Sequence, residues 1–382
     1  MKLVFVLYNY FPYGGLQRDF LRIAEACSLR GHHITALTSA WEGEVPDWLE
    51  LSLLEVRALT NHGFNHRFAE QVRQRVAQLQ PDVVVGFNRM AGLDVYFAAD
   101  PCFAAHTERQ GRGWLYRLTS RYRHFVAEER GLMDSDALIL ALTGEQIDDY
   151  RRCYGVAEQR FQLLPPGIAR DRAWSAESPG RRRAFRTANG VADDERVLLM
   201  VGSGFRRKGV DRAVAGLGSL PAPLRDKTHL FVVGDDDPAP FQRQAQQCGV
   251  AERVHFVGGR DDIPDFLFGA DLFLHPARSE AAGMVLVEAI VSGLPVLVTA
   301  VCGYAHFIED SGCGEVLDDP FHQDSFNARL RAVLENDTLR RLYHDAGVAF
   351  GADADVYDMP ARVALLIEGR GAGADQGGGR GA

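Results

Sequence analysis

Apolar residues along this chain gather into short unbroken runs, most of them closed by Gly, Pro, Asn or Asp. Residues 3–8, 82–87, 136–143, 161–164, 197–201, 229–234, 254–259, 271–276 and 296–298 each read as a strand. Unbroken rather than alternating runs mark strands covered on both faces, as in a parallel sheet. Helical periodicity fills the gaps. Leu16, Phe20, Ile23 and Cys27 recur at spacings of four, three and four, which predicts a helix starting near Leu16, stopped by Gly31 and followed by a strand at 33–38. Further helices are expected up to Leu217, over 283–291, 322–335 and 338–350, and over about 357–367. Strands joined by helical crossovers make an α/β protein of the doubly wound, Rossmann-like kind. Residues 170–189 hold arginines, glycine, proline and serine with little apolar periodicity, and are expected to link two such halves. The glycine-rich tail, 369–382, is expected to be disordered.

A length of 382 residues fits two cores. A hydrophobic share of 46% and a charged share of 24% are those of an ordinary globular protein. The net charge of −9 argues against a general nucleic-acid binder. Cys27, Cys102, Cys153, Cys248, Cys302 and Cys313 show no metal-knuckle or redox spacing and read as thiols in a reducing cytoplasm. Lys2 and the apolar run after it resemble the start of a signal peptide, but the run ends at Asn9 without a small-residue cleavage site, so a first strand is the better reading. No run of eighteen apolar residues occurs.

The most informative stretch is 279–295, from Ser279 to Pro295. A strand ends at Pro276, a loop carries Glu280, and a helix entered through Ala281-Ala282-Gly283 carries Glu288. Such a helix start presents unblocked N–H groups and suits an anion. Were the segment helical throughout, the two glutamates would lie about 12 Å apart and about 80° around the axis. That is too far for work on one atom, but it suits the two ends of an extended ligand with a negative middle, such as a nucleotide-sugar. The bland alternative is a βα unit with two solvated glutamates. Gly14-Gly15 opens the first helix as either a tight turn or a phosphate-facing loop. Gly202-Ser203-Gly204-Phe205-Arg206-Arg207-Lys208-Gly209 places three cations at a strand end, where phosphates bind. Arg260 and Ile263, after another strand, are candidates for holding a base. Asp235-Asp236-Asp237 invites a metal reading, yet the adjoining Pro238 and Pro240 favour a plain acidic turn. Residues 104–132 combine Trp114, Tyr116, Tyr122 and Phe125 with Arg109, Arg112, Arg117, Arg121, Arg123 and His124. On one helical wheel Trp114, Leu118, Tyr122 and Phe125 share an arc beside Arg117, Arg121 and His124. This reads as a membrane-surface contact, as a helix docked on its own domain, or least of all as a nucleic-acid surface.

Two Rossmann-like halves with a basic glycine loop and two glutamates eight positions apart resemble the retaining glycosyltransferases of family 4. Within them, residues 7–20, 92–100, 116–124, 207–212 and 302–306 resemble the lipopolysaccharide core glucosyltransferases, and the likeness runs to about Ile367. The resemblance implies two domains facing a cleft (GT-B type). One comprises residues 1–168 with 352–368, on the acceptor side; the other, 169–351, takes the nucleotide-sugar. It implies transfer of glucose from UDP-glucose, with retention, to a heptose of the lipopolysaccharide inner core. The setting is the cytoplasmic face of the inner membrane, with anionic lipids and a lipid-linked acceptor as partners. It further implies that Gly15 lets a loop approach the diphosphate, and that Arg207, Lys208 and Arg172 are donor-side cations. Glu280 would hold the glucose, Ala282, Gly283, Met284 and Val285 would offer backbone N–H groups, and Glu288 would take the ribose. Asp19 and Asp100 would position sugar or acceptor, and Trp114, Arg117, Arg121, Tyr122 and Arg123 would touch the membrane. Many family members carry a histidine near the donor sugar. Here the comparable place reads Ala99-Asp100-Pro101-Cys102, and His106 is expected to be a surface residue instead. No metal or other cofactor is expected. A UDP-sugar epimerase on the same scaffold, a family-4 transferase using another hexose, and a non-enzymatic membrane adaptor are the competing readings.

Overall fold

The computed structural model describes residues 1–12 and 14–376. Tyr13, within the expected glycine loop, and 377–382 of the tail lie outside the described residues. The chain forms two compact units, one of Met1–Gly167 with the chain from Asp358 onward, the other of Ile168–Tyr357.

The first unit contains strands β1 (Lys2–Val6), β2 (Asn9–Tyr10), β3 (His33–Thr38), β4 (Ala40–Trp41), β5 (Leu49–Leu53), β6 (Val83–Gly86), β7 (Val95–Ala98), β8 (Leu138–Ala141) and β9 (Phe161–Leu163). Seven of them form a parallel sheet in the order β5-β3-β1-β6-β7-β8-β9, while β2 and β4 pair as a small ribbon. Helix Gly15–Leu29 buries Phe20, Ile23 and Cys27, as its periodicity predicts, and the Phe20 ring meets Phe5 edge-on at 5.8 Å. Strand β5 and helix Asn61–Leu79 were not expected. That helix buries only Phe68, Ala69 and Val72, too few apolar positions to stand out of its polar sequence.

The second unit contains β10 (Arg196–Val201), β11 (Thr228–Val233), β12 (Val254–Phe256), β13 (Leu272–His275), β14 (Val296–Thr299) and β15 (Gly314–Leu317). They form a six-stranded parallel sheet in the order β12-β11-β10-β13-β14-β15. The sheet order reverses beside β10, and such a switch point opens a crevice at the carboxyl ends of the strands.

Three expectations need correction. Residues 170–189 are no linker, because they include helix Ser178–Ala188 of the second unit. Phe185 is its main apolar anchor, and arginines supply the rest: Arg182 donates to the carbonyls of Phe268, Gly269 and Ala270 and to Asp271, and Arg186 to Ala192 and Glu195. The tail stays helical through Gln376 in helix Met359–Gln376, whose Val363, Ala364 and Ile367 are buried. The return to the first unit comes at Asp358 rather than 352, because helix Asp337–Asp353 runs on and Tyr357 is tied back to the Gly351 carbonyl at 2.7 Å.

Candidate active site

The chemistry of the second unit gathers at the carboxyl ends of β10 and β13. After β10 the chain turns through Gly202, Ser203 and Gly204 into the single helical turn Phe205–Lys208. Asp236 accepts the Phe205 N–H at 2.7 Å and so fixes the start of this turn. Gly202 (φ +122°) lets the Lys208 stem lie across it, since a Cβ there would sit 2.5 Å from Lys208 Cε. Gly209 ends the turn at φ +79°, and a Cβ there would meet the Pro276 carbonyl oxygen at 2.0 Å. The turn is therefore pressed against the loop that follows β13. Arg278 clamps the two together, bidentate to Asp211 at 2.8 and 2.7 Å and bonded to the Arg206 carbonyl at 2.7 Å.

Glu280 sits in that loop, four residues before helix Met284–Val291, and pairs with Cys302 in an isolated parallel bridge. It is thus not on the helix that carries Glu288, and the single-helix spacing does not apply. Its Oε2 receives Arg207 Nη1 at 2.8 Å and Lys208 Nζ at 2.9 Å, with His275 Nε2 at 3.4 Å. Burial favours the neutral acid, but the His275 contact and the charges of Lys208 and Arg207 outweigh it and hold the carboxyl far below the usual carboxylate range. His275 is fully buried at the end of β13. Burial, reinforced by Lys208, lowers its pKa to about 4, so the ring is neutral at pH 7. The cluster carries two cations against one carboxylate. Lys208 is nearly enclosed, whereas Arg207 is about half exposed (46%) and available to a ligand.

Gly283 takes φ +96° at the helix start, and no side chain caps that end. The first N–H groups of a helix have no partner within it, so Met284 and Val285 stand where an anion is received. Ala282 is buried, and its carbonyl accepts the Tyr304 N–H at 2.8 Å. Glu288, one helical stretch on, is 7% exposed, and Arg172 Nε approaches its Oε1 at 3.6 Å. Arg172 is buried and also pairs with Asp171, and its Nε makes no hydrogen bond. The guanidinium of Arg260 is engaged by Asp262 (2.8 and 2.6 Å), and the Ile263 side chain is buried in the unit. Asp237 accepts the Ala239 N–H at 3.0 Å; together with the Asp236 bond, this makes the acidic run a brace for two backbone segments. A separate cavity of about 350 Å³ opens at the amino ends of these strands, lined in part by Trp174, Arg182, Arg196, Asp271 and Arg340. Arg182, Arg196 and Arg340 are committed there to Asp271, Asp337 and backbone carbonyls, and the cavity lies at the opposite strand ends from the Glu280 cluster.

In the first unit, Gly15 begins its helix with open space where a Cβ would lie. Asp19 is buried one turn on. Asp100 follows β7 with its carboxylate half exposed (54%). Its loop is tightly held: Gln146 donates to the carbonyls of Ala98 and Asp100, and Arg89 to that of Pro101 at 3.0 Å. Beneath it Glu129, wholly buried, accepts the N–H groups of Phe103 and Ala104 and the Tyr154 hydroxyl, and pairs with Arg89 Nη1 at 3.4 Å.

Residues 104–132 do not form one amphipathic helix. They break into Phe103–Arg109, Trp114–Arg117 and Ser120–Met133, interrupted at Gly111 (φ +62°), Gly113, Leu118 and Thr119. Trp114, Leu115 and Leu118 are exposed, as are Arg117, Arg121 and Arg123. Tyr122 and Phe125 instead pack on Phe103, with centroids at 5.9 and 5.1 Å, so the single-wheel arc divides into a solvated and a docked part. His106 is half-buried, its ring 2.7 Å from the Gln110 amide. Among the described residues no helix is long and apolar enough to cross a membrane.

Pattern reading missed His275, Arg278, Asp211, Arg89 and Glu129. His275 had a signal, as an imidazole ending an otherwise apolar strand before proline. The others act through partners far away in sequence. Together the second unit's groups suit an anion that gains charge: two fixed cations, a neutral imidazole and an uncapped helix start.

Comparison with known proteins agrees. Residues 181–348 match the family of glycosyl transferases group 1, and residues 13–172 match glycosyltransferase family 4. The lipopolysaccharide glucosyltransferase WaaG of Escherichia coli (strain K12) is 47% identical over 371 residues, spanning 97% of this chain and 99% of that protein. The crystal structure of WaaG, described as a glycosyltransferase involved in lipopolysaccharide biosynthesis, superposes with a TM-score of 0.94 at 47% identity over 96% of this chain and 100% of that one. The sucrose-phosphate synthase of Thermosynechococcus elongatus shares the fold, with a TM-score of 0.78 at 17% identity over 98% of this chain and 100% of that one. With two parallel-sheet units and a cation pair braced against a glutamate, the chain belongs to the family-4 glycosyltransferases, in the group of the lipopolysaccharide glucosyltransferases.

Proposed function

We propose that the protein transfers glucose from UDP-glucose, with retention, to a heptose of the lipopolysaccharide inner core. The observation that carries this reading is the Glu280 cluster. A carboxylate pinned by Arg207 and Lys208 and held far below its ordinary pKa is a poor proton donor and a blunted nucleophile. Its remaining oxygen suits sugar hydroxyls, while the cations face developing negative charge. In the reaction, the acceptor hydroxyl oxygen bonds to the sugar C1 on the face that the diphosphate leaves. The C1–phosphate bond breaks, and the hydroxyl proton passes to the departing phosphate oxygen. Arg207 and Lys208 neutralise the UDP charge as it forms, a preorganised electrostatic role. Ala282, Gly283, Met284 and Val285 supply backbone N–H groups, and Glu288, oriented by Arg172, takes the ribose. Arg260 and Ile263 border the base. Gly15, Asp19 and Asp100 serve the diphosphate and the sugar or acceptor. With two cations in place the reaction needs no metal, so EDTA leaves turnover intact; loss restored by magnesium or manganese would reinstate the acidic run 235–237 as a metal site.

The protein works at the cytoplasmic face of a membrane, held by Trp114, Arg117, Arg121 and Arg123 to anionic lipid, with Tyr122 anchoring that segment on Phe103. The exposed Trp114 and Leu118 beside exposed arginines support this part. Charge reversal at Arg117, Arg121 and Arg123 abolishes binding to anionic liposomes and spares turnover of a soluble acceptor.

The decisive assay offers UDP-glucose, UDP-galactose and UDP-N-acetylglucosamine with a deacylated heptose-containing core acceptor and determines the linkage of the product. An α-glucosyl heptose is expected. Conversion of a UDP-sugar without acceptor would establish the epimerase reading instead.

A further inference from the structure

Away from the donor site, helices Asn61–Leu79 and Ser120–Met133 face each other with metal-ligand chemistry. His66 and Glu70 stand four residues apart on the first; His124 and Glu128 stand four apart on the second. That spacing puts each pair on one face of its helix. The rings of His66 and His124 lie 5.9 Å apart, nearly perpendicular. One ligand atom from each of His66, His124 and Glu128 falls within 4.8 Å of the others, and Glu70 Oε1 is 3.3 Å from His66 Nε2. Three further observations favour a bound ion over a chance meeting of surface groups. The Nε2 of His124 is enclosed and has no hydrogen-bond partner among the described residues, although a buried polar atom normally finds one. The Ala91 N–H donates to Glu128 Oε2 at 3.1 Å, the kind of outer contact that orients a ligating carboxylate. One turn before His66, His62 meets the Ser120 hydroxyl at 3.3 Å, which fixes the register of the two helices.

We propose that His66, His124 and Glu128 form a site for a divalent transition ion of the zinc type, with Glu70 or water as the fourth ligand. Imidazole and carboxylate donors suit such an ion better than magnesium or calcium, which prefer all-oxygen sites. Bonds of about 2.0–2.2 Å place tetrahedral ligand atoms roughly 3.4 Å apart. The side chains must therefore draw in by about an ångström, which rotamer changes at the exposed His66 supply. The ion clips helix Ser120–Met133, which carries Arg121 and Arg123, to helix Asn61–Leu79. This site is independent of the donor chemistry and of the sugar assigned to it.

The test titrates the untagged, full-length protein with Co²⁺ and Zn²⁺. One equivalent of Co²⁺ gives visible absorption that Zn²⁺ displaces, and Zn²⁺ raises the melting temperature where equal Mg²⁺ does not. H66Q, at an exposed position that leaves the fold intact, and H124Q weaken binding at least tenfold. H322Q, at an exposed histidine elsewhere, does not. Absence of a stoichiometric cobalt spectrum, an equal response to Mg²⁺, or unchanged affinity in H66Q would each overturn the proposal.

Discussion

The two units share one architecture and use buried charge in opposite ways. In the second unit, charged groups meet at the strand ends, where Arg207 and Lys208 share one oxygen of Glu280 and Arg207 stays about half exposed. In the first unit, the charges are sealed beneath the surface. Arg89 and Glu129 pair with each other and bond backbone groups of the loop that presents Asp100, whose half-exposed carboxylate lies 3.7 Å from Arg89. The difference separates two tasks. On the proposed function one set of charges acts on the reaction, and the other holds a loop still.

Alanine substitution exposes that contrast most sharply. Glu129→Ala strands Arg89 in the interior and frees two N–H groups at the start of helix Phe103–Arg109. Removing one partner of a buried pair costs about 3–5 kcal/mol, to be read as a shift of the urea midpoint with unchanged slope. An unchanged midpoint would place Glu129 with the solvated charges. Lys208→Ala, in the other unit, lowers kcat by about 10²–10³, the usual cost of removing a preorganised charge, while the melting temperature moves little. A large loss of stability with near-normal kcat would reverse the assignment of the two units.

His275 gives a pH signature to the second unit. Its pKa of about 4 in the fold lies below its ordinary 6.5. As pH falls, protons therefore bind the unfolded chain first, and the stabilisation present above pH 6.5 drains away towards pH 4. By pH 5 this amounts to about 2 kcal/mol. Chemical denaturation from pH 7 to 5 should show that slope in the wild type and lose it in His275→Gln. The smallest effect belongs to Asp100→Asn, which keeps the backbone bonds of the loop and removes a half-exposed charge that faces Arg89 at 3.7 Å. It should raise KM for the acceptor or donor by about tenfold, the scale of one modest polar contact, and cost no more than about 1 kcal/mol of stability, the worth of a half-exposed pair.

Most strands were legible because parallel strands covered on both faces read as apolar runs. Val83–Gly86 and Leu272–His275 are examples. Helix Ser178–Ala188 was not, because its grip on the core runs through guanidinium groups bonded to carbonyls, and arginines in a sequence look like solvent. The site was half legible. The residues around Glu280 and Glu288 suggested a two-ended grip, the glycine loop showed its cations, and the family resemblance singled out Arg207 and Lys208 among them. That Glu280 lies directly against both cations could not be read, since the partners are more than seventy positions apart. The break of 104–132 into three helices was within reach through Gly111 and Gly113, but the aromatic and basic pattern masked it.

The first unit is discontinuous in the chain, and this has a consequence for the order of synthesis. Helix Met359–Gln376 packs on helix Gly15–Leu29, and Glu368 bonds both Arg30 and His32 at 2.7 Å. Yet the 190 residues of Ile168–Tyr357 must leave the ribosome before that helix exists. At about 5–20 residues per second, the first unit waits roughly 10–40 s with the surface meant for Val363 and Ile367 uncovered, and by the end of that wait the second unit has every strand it needs. The unit that carries the Glu280 cluster is thus complete first, and helix Met359–Gln376 closes the earlier-made half.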